Sequence, residues 1–421
     1  MESGEKKRTV LAIDLKSFYA SVECVDRGLD PFTTPLVVCD KSRGEGTLIL
    51  AVSPYLKTLG IPGRLRLFDL PKIDGMIYAM PRMERYIRKS VEVLSIYLEY
   101  VDVSDMHVYS QDEAFLDITD YLGAAGCSPI TFAKRIIREI YQKTGLTVTA
   151  GIGENLFLAK VAMDVEAKHK KDNIAFWTKE DVPAKLWPLT PLSKMWSIGK
   201  RTEKKLNDLG FYTIGDIAAA DPFFLKSKFG VLGEELYEHA NGVDDARIQR
   251  PYEPLNRSLG SGQVLMRDYS GSEAFTAVKD TLDELERRIH KEHVLAGGIS
   301  LYIGYKDEGK GFACGMQFEA PTSDHHLFLD ALREIYFSCY DGKSKVRNVC
   351  IQAFGTVPDE GRQLSLFEED EKRREKEEKI LETEEKIRGI YGDKSVFRAS
   401  YLLPESTALK RFKQIGGHNK L

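Results

Sequence analysis

The sequence predicts a multi-domain α/β protein, and three observations carry that prediction. Strands and helices interleave from 10 to 177, as in an α/β sandwich. Residues 181–242 are helical in pattern and punctuated by Gly199, Gly210, Gly215 and Gly230, as in a small all-α unit. Residues 258–355 run strand, helix, strand, strand, helix, strand, a ferredoxin-like order of elements. The chain has 421 residues, which at ~150 per domain suggests about three domains.

Taken in order, VLAIDL (10–15) is a short apolar strand and FYASVECV has helical period. LVVCD (36–40) and TLILAV (47–52) read as strands, and SPYLKTLG as a short helix closed by Gly60. Residues 84–100 predict an amphipathic helix with Ile87, Val91, Leu94 and Leu98 on its core side. VYSQDEAFLDIT (108–119) reads as a strand pair or a bent strand with acids at its centre. Helix 130–142, strand 146–152, helix 155–167 and strand 173–177 complete the sandwich, with an insert near 30–78. RPYEPLNR (250–257) reads as a linker. Beyond Val357 a charged, helix-prone run, EEDEKRREKEEKILETEEK, has little apolar material for a core.

Composition narrows the class. At 43% hydrophobic and 29% charged, the chain is not wholesale disordered. No apolar run approaches the ~18 residues of a membrane span, and the first residues lack a signal-peptide core. A soluble cytoplasmic protein is expected. The six cysteines include no C-x-x-C pair, which excludes a zinc knuckle and points to reduced thiols. His290 with His293, and His325 with His326, lack the further ligands that zinc requires. A net charge of −4 neither indicates nor excludes nucleic acid, because phosphate binding needs only local patches.

The chemistry concentrates at Asp14, at the end of the first strand, and at Asp112 and Glu113. A carboxylate inside an apolar strand is costly unless paired. Hard oxygen ligands from neighbouring strands suit Mg²⁺, and two such ions activate an attacking oxygen and stabilise a leaving one. Adjacent residues of a regular strand face opposite ways, so Asp112 and Glu113 share a site only if the chain bends there.

V-L-A-I-D-L-K-S-F-Y-A-S-V-E (10–23) and Y-S-Q-D-E-A-F-L-D (109–117) resemble the two signature motifs of Y-family, lesion-bypass DNA polymerases, the UmuC-like bacterial branch above all. The resemblance implies a palm (1–29 and 79–180) with a ferredoxin-like mixed sheet and small fingers (30–78). It further implies an all-α helix-hairpin-helix thumb (181–249), a βαββαβ little finger (258–357) and a charged tail (358–421). It makes Asp14, Asp112 and Glu113 the catalytic carboxylates that hold two Mg²⁺ ions, with the Leu15 carbonyl as a further ligand. Tyr19, after Phe18, becomes the steric gate against a ribose 2′-hydroxyl. Lys160 and Lys57 become triphosphate contacts, and the backbone N–H groups of Phe18 and Tyr19 open a helix where anions bind. Lys16, Gln111 and Pro54 depart from the family pattern.

Residues 194–210 read as helix, Gly turn, helix, with Ile198, Gly199, Lys200 and Arg201 placed for a DNA phosphate. In the little finger, Arg257, Arg267, Lys306, Lys310, Lys343, Lys345 and Arg347 are phosphate contacts in prospect. Gln363, Leu364, Leu366 and Phe367, in Q-L-S-L-F, look like the peptide by which bacterial polymerases hold the sliding clamp. The basic segment 396–420 could cover DNA, dock a partner or fold on the little finger. The expected function is template-directed, error-prone addition of dNTPs to a primer on template DNA by a monomeric enzyme. A non-catalytic DNA- and clamp-binding factor would have lost the carboxylates, and all three remain. A nucleotide cyclase, which also sets paired acids on such a sheet, would not need the hairpin or the clamp-like peptide.

Overall fold

The computed structural model describes residues 7–250, 254, 257–307, 309–360 and 368–420. The chain divides into two units, 1–252 and 253–421. Among the described residues no helix is long and apolar enough to cross a membrane, and all six cysteines are free thiols.

In the first unit, β1 (Val10–Leu15) is almost wholly buried and leads into α1 (Phe18–Val25). A three-stranded insert follows: β2 (Leu36–Val38), β3 (Ala51–Val52), α2 (Pro54–Thr58) and β4 (Ile77–Ala79). Its sheet order is β3-β2-β4. The expected strand 47–52 shortens to its last two residues; Leu48 instead makes an isolated bridge to Arg66. Next come α3 (Met83–Tyr97), β5 (Met106–Val108), β6 (Glu113–Asp117), α4 (Tyr121–Ala125), α5 (Pro129–Thr144), β7 (Val148–Gly153), α6 (Leu156–Val161) and β8 (Ile174–Trp177). The main sheet runs β5-β6-β1-β7-β8. Its first four strands have the ferredoxin order expected of the palm, and β8 adds a parallel strand beside β7.

Two helices differ from the sequence reading. α3 buries Met83, Tyr86, Ser90, Val93 and Tyr97, not the expected stripe; Val91 is 55% and Leu98 46% exposed. Both stripes have helical spacing. Tyr86 decides between them, because its ring packs on Tyr19 and its hydroxyl donates to buried Glu23. The helix expected over 155–167 is α6, then a wide π turn (Ala162–Glu166) and one tight turn to His169. Gly151 and Gly153 let α6 lie directly on β7: a Cβ at Gly151 would sit 2.1 Å from the Ala159 carbonyl oxygen.

The all-α segment holds α7 (Lys200–Asp208), α8 (Ile214–Ala218), α9 (Pro222–Phe229) and α10 (Val231–Ala240). The helix expected before the Gly turn is a single turn, Leu192–Lys194.

The second unit holds β9 (Arg257–Tyr269), α11 (Gly271–Lys291), β10 (Val294–Tyr305), β11 (Gly311–Thr322), α12 (His325–Cys339) and β12 (Val346–Pro358). The element order is the expected one, but the sheet runs β11-β10-β12-β9, all antiparallel. A ferredoxin order would seat the first strand centrally; here β9 lies at an edge. α11 and α12 cover one face over a core that includes Leu282, Ile299, Leu301, Phe328 and Ile351. Val264, Met266 and Tyr302 are exposed.

After α13 (Glu368–Tyr391), the segment for which covering DNA, docking a partner or folding on the preceding domain were all open packs against α11. Its α14 (Ala408–Arg411) and a small hairpin, β13 (Gln414–Ile415) and β14 (His418–Asn419), follow a stretch anchored on α11. Asp280 accepts the Ser406 hydroxyl at 2.8 Å and the Thr407 N–H at 2.7 Å, and Arg398 pairs with Asp283.

Ser270 and Glu273 cap α11: the Ser270 N–H and hydroxyl both donate to Glu273, and Arg267 binds its other oxygen at 2.7 Å. The Arg267 guanidinium and these bonds hold the Glu273 carboxyl down at about 2. A carboxyl depressed on folding contributes stability above its unfolded value of 4.5 and loses it as pH falls through about 2. Glu273→Gln should therefore lower the second unit's melting temperature at neutral pH. Calorimetry should show the gap to the parent chain narrowing between those two values; a pH-independent gap contradicts this.

Candidate active site

β1 brings Asp14 to the end of the main sheet, flanked by β6 and β7. Asp14 pairs in register with Glu113 on one side and Thr149 on the other. Directly opposed residues of an antiparallel pair project to the same face, so both carboxylates point to the side that α6 covers. Val10, Ala12, Phe115, Leu156, Ala159 and Met163 form the apolar floor on that side.

Asp112 lies outside the strand. The Tyr109 and Ser110 N–H groups both donate to the Glu113 carbonyl at 3.0 Å, which closes a tight turn and starts β6 at Glu113. The Asp112 carbonyl accepts the Leu15 N–H at 2.9 Å, and its carboxylate accepts the Ser110 hydroxyl at 2.8 Å. This is the bend that lets adjacent acids approach one site.

Two lysines stand on the acids. Lys160 of α6 lies 2.6 Å from Glu113 and 3.1 Å from Asp164; Lys168 lies 2.8 Å from Asp14 and 2.7 Å from Asp164. Burial pushes the Asp14 and Glu113 carboxyls up, and their lysines oppose the shift. Burial also pulls on Lys168, but Asp14 and Asp164 outweigh it and hold its ammonium above the ordinary lysine value. Asp164 and Lys168 were not singled out from sequence. Their signal was there: Lys160, Asp164 and Lys168 recur every four residues.

The donor set is three carboxylates and the Leu15 carbonyl, all hard oxygens. Asp14 and Glu113 are largely buried, and each is matched by an ammonium group in contact with it. Such a set fits divalent cations.

Around this centre, Ser17 takes a left-handed conformation (φ 49°) and α1 starts with no side-chain cap. The first turn, at Phe18 and Tyr19, is thus an N–H-rich edge. Phe18 is buried in the core, and Tyr19 donates its hydroxyl to Gln111 at 2.6 Å. Burial lowers the proton affinity of Lys57 and Lys16. Asp14 acts on both lysines in the opposite sense, which puts them within its electrostatic reach. Lys16 donates to Asn173 at 2.5 Å.

Ile198 is buried beneath the turn that carries Gly199, Lys200 and Arg201, all exposed. Gly199 begins α7 without a side-chain cap. Trp196, just before it, packs edge-on against Tyr109 at 6.0 Å.

In the second unit, Arg267, Lys306, Lys310 and Arg347 are each paired with an acid of the same unit. His325 has more company than its sequence neighbours suggested: ligand atoms of Asp283, Glu286 and His325 lie within 4.8 Å of one another. The Arg398 guanidinium already contacts all three side chains. Gln363, Leu364, Leu366 and Phe367 lie outside the described residues.

Comparison with known proteins bears on the whole chain. The impB/mucB/samB family matches residues 13–164, the HHH motif of the IMS family 179–211, and the impB/mucB/samB C-terminal domain 256–366. The chain is 39% identical over 419 residues to the putative UV-damage repair protein UvrX of Bacillus subtilis (strain 168), covering 98% of both chains. It is 31% identical over 424 residues to DNA polymerase IV 2 of the same organism, covering 99% of this chain and 100% of that one. Among solved structures, the Y-family DNA polymerase chimera Dbh-Dpo4(243-245)-Dbh superposes with a TM-score of 0.67. That match has 22% identity and covers 83% of this chain and 99% of that one.

Proposed function

The chain belongs to the impB/mucB/samB family, the Y-family lesion-bypass DNA polymerases, and from that premise we propose which of its residues perform the synthesis. As a member it is a DNA-directed DNA polymerase that binds primer-template DNA and dNTPs and depends on divalent metal. Asp14, Asp112, Glu113 and the Leu15 carbonyl hold two Mg²⁺ ions. The observation that carries this reading is the direct cross-strand pairing of Asp14 with Glu113, with Asp112 brought beside β1 by the turn.

Bound Mg²⁺ supplies Lewis-acid chemistry, lowering the pKa of the primer 3′-hydroxyl and offsetting charge on the departing pyrophosphate. The remaining work falls to the chain. The primer oxygen attacks the α-phosphorus of the dNTP. Lys160, with Lys57, binds the triphosphate, and the N–H groups opening α1 add dipolar donors to it. Lys160 and Lys168 now neutralise Glu113 and Asp14, so they exchange one set of anionic oxygens for another when substrate enters. Tyr19 stands at the sugar and excludes a 2′-hydroxyl. Ile198, Gly199, Lys200 and Arg201 hold a template or primer phosphate without reading sequence.

The segments keep the palm, fingers, thumb, linker and little-finger bounds given above. We place the bacterial sliding clamp on Gln363, Leu364, Leu366 and Phe367, and the working enzyme as a cytoplasmic monomer.

The test is primer extension with purified protein, Mg²⁺, primed template and dNTPs, on undamaged and lesion-bearing templates. Extension is expected on both. No extension with Mg²⁺, together with extension under another divalent ion, would correct the metal; no extension with any ion would remove the assignment.

A further inference from the structure

We infer that Gln111 is a positioning residue for sugar selection, holding the ring of Tyr19 at the height where it excludes a ribose 2′-hydroxyl. The inference rests on the reading of Tyr19 as the gate and adds to it a partner that sets how firmly the gate is shut.

Beyond the tilted contact with its chain neighbour Phe18 at 5.5 Å, two contacts fix the ring, and each restrains a different freedom. The Tyr19 ring stacks on that of Tyr86 at 4.4 Å between centroids and 15° between planes, which sets its plane. Tyr86 is itself fully buried and held by its hydroxyl bond to Glu23 at 2.7 Å. Glu23 has no exposed side-chain surface and is bound by Arg82 through two bonds, at 2.9 and 3.0 Å. Stacking alone leaves a ring free to slide across its neighbour, because dispersion is nearly flat along that direction. The second contact stops the slide: the Tyr19 hydroxyl donates to the Gln111 side-chain oxygen Oε1 at 2.6 Å.

The chemistry of this bond needs Tyr19 protonated. Burial, and then the nearby Asp112 carboxylate, raise its pKa and keep it a donor at neutral pH. Gln111 is neutral at any pH and offers an amide oxygen that cannot be lost by titration. Gln111 also belongs to the turn that ends at Glu113, one residue before Asp112. The gate is therefore tied to the same turn that presents a catalytic carboxylate. Discrimination against an extra hydroxyl depends on the wall not yielding, and a ring anchored at both its face and its tip yields less than one anchored at its face alone.

The test measures kcat/KM for a dNTP and the matching rNTP in one primer-extension assay. Gln111→Leu removes the acceptor at similar volume, and Tyr19→Phe removes the donor while keeping the ring. Each is expected to lower the dNTP-to-rNTP preference by about threefold to tenfold, through a rise in ribonucleotide efficiency, as loss of one hydrogen bond implies. Gln111→Glu, which keeps an acceptor, should retain the parent preference. The Tyr19→Phe/Gln111→Leu double variant should match either single one, since both remove the same bond. A merely structural role would instead depress both sugars equally.

An unchanged preference in Gln111→Leu, or additive effects in the double variant, would overturn the inference. Tyr19→Ala in the same assay separates the levels. If it admits ribonucleotides while Gln111→Leu does not, the gate stands and the positioning role falls. If it leaves sugar choice unchanged, the gate itself falls and takes the positioning role with it. Extension of the primer by the parent chain with dNTPs tests the polymerase reading independently of both.

Discussion

Asp112→Ala is expected to cut primer extension by about 10³-fold or more while leaving the fold and primer-template affinity intact. Removing one preorganised group that stabilises developing charge typically costs 10²–10³ in rate, and a lost metal ligand more. The stability side is what makes this substitution informative. Asp112 sits in the turn before β6, and the bond that its carboxylate accepts comes from its own neighbour, Ser110. Its deletion removes one solvent-accessible hydrogen bond, so the melting temperature should move by no more than about 2 °C. Glu113→Gln mixes two effects, because it also removes the partner that Lys160 holds at 2.6 Å under α6. Single-nucleotide insertion rates, thermal melts and DNA-binding isotherms on the same preparations distinguish the cases. Extension within tenfold of the parent would mean that the turn does not carry a ligand.

Gly151→Ala is expected to be the most damaging single methyl group in the first unit. The added Cβ would lie 2.1 Å from the Ala159 oxygen, 2.4 Å from the Met163 nitrogen and 2.6 Å from the Met163 Cβ. Two of those atoms are backbone, in α6 and in the π turn behind it, so relief requires the whole element to move. Overpacking of this kind costs about 3 kcal/mol or more. For a unit of this size that corresponds to a fall of about 6–12 °C in melting temperature. Activity should fall further than stability, because α6 carries Lys160 and leads into Asp164 and Lys168. Gly123→Ala is the control: nothing lies within 4 Å of its Cβ, and its melt should match or slightly exceed the parent's. A Gly151→Ala melt within 2 °C of the parent would contradict the seating of α6 on β7.

Particular residues show where sequence reasoning carried and where it stopped. The acid at the end of VLAIDL and the acids of YSQDEAFLD were legible because a carboxylate in an apolar strand is expensive and draws notice. Whether Asp112 and Glu113 could cooperate was not legible. It depends on two backbone bonds from Tyr109 and Ser110 that start the strand one residue late. The face of α3 was misread because Ile87, Val91, Leu94 and Leu98 make as good a stripe as Met83, Tyr86, Ser90, Val93 and Tyr97. The choice lay with Tyr86, whose partners Tyr19 and Glu23 are more than 60 residues away. Lys168 was invisible as a partner of Asp14 because the salt bridge joins positions 14 and 168, far apart in the chain, although its spacing from Lys160 and Asp164 was plain.

Element order, the alternation of apolar positions and the motifs around Asp14, Asp112 and Glu113 are properties of short windows, and a single chain displays them before it folds. Neighbourhood is not such a property. The seat of residues 396–411 on α11, β9 at a sheet edge and Gln111 against Tyr19 each join groups 77 or more residues apart. Which of several equally apolar faces turns inward is settled by burial free energy summed over the assembled core. That sum exists only once the distant segments have met, so the tertiary structure alone could decide it.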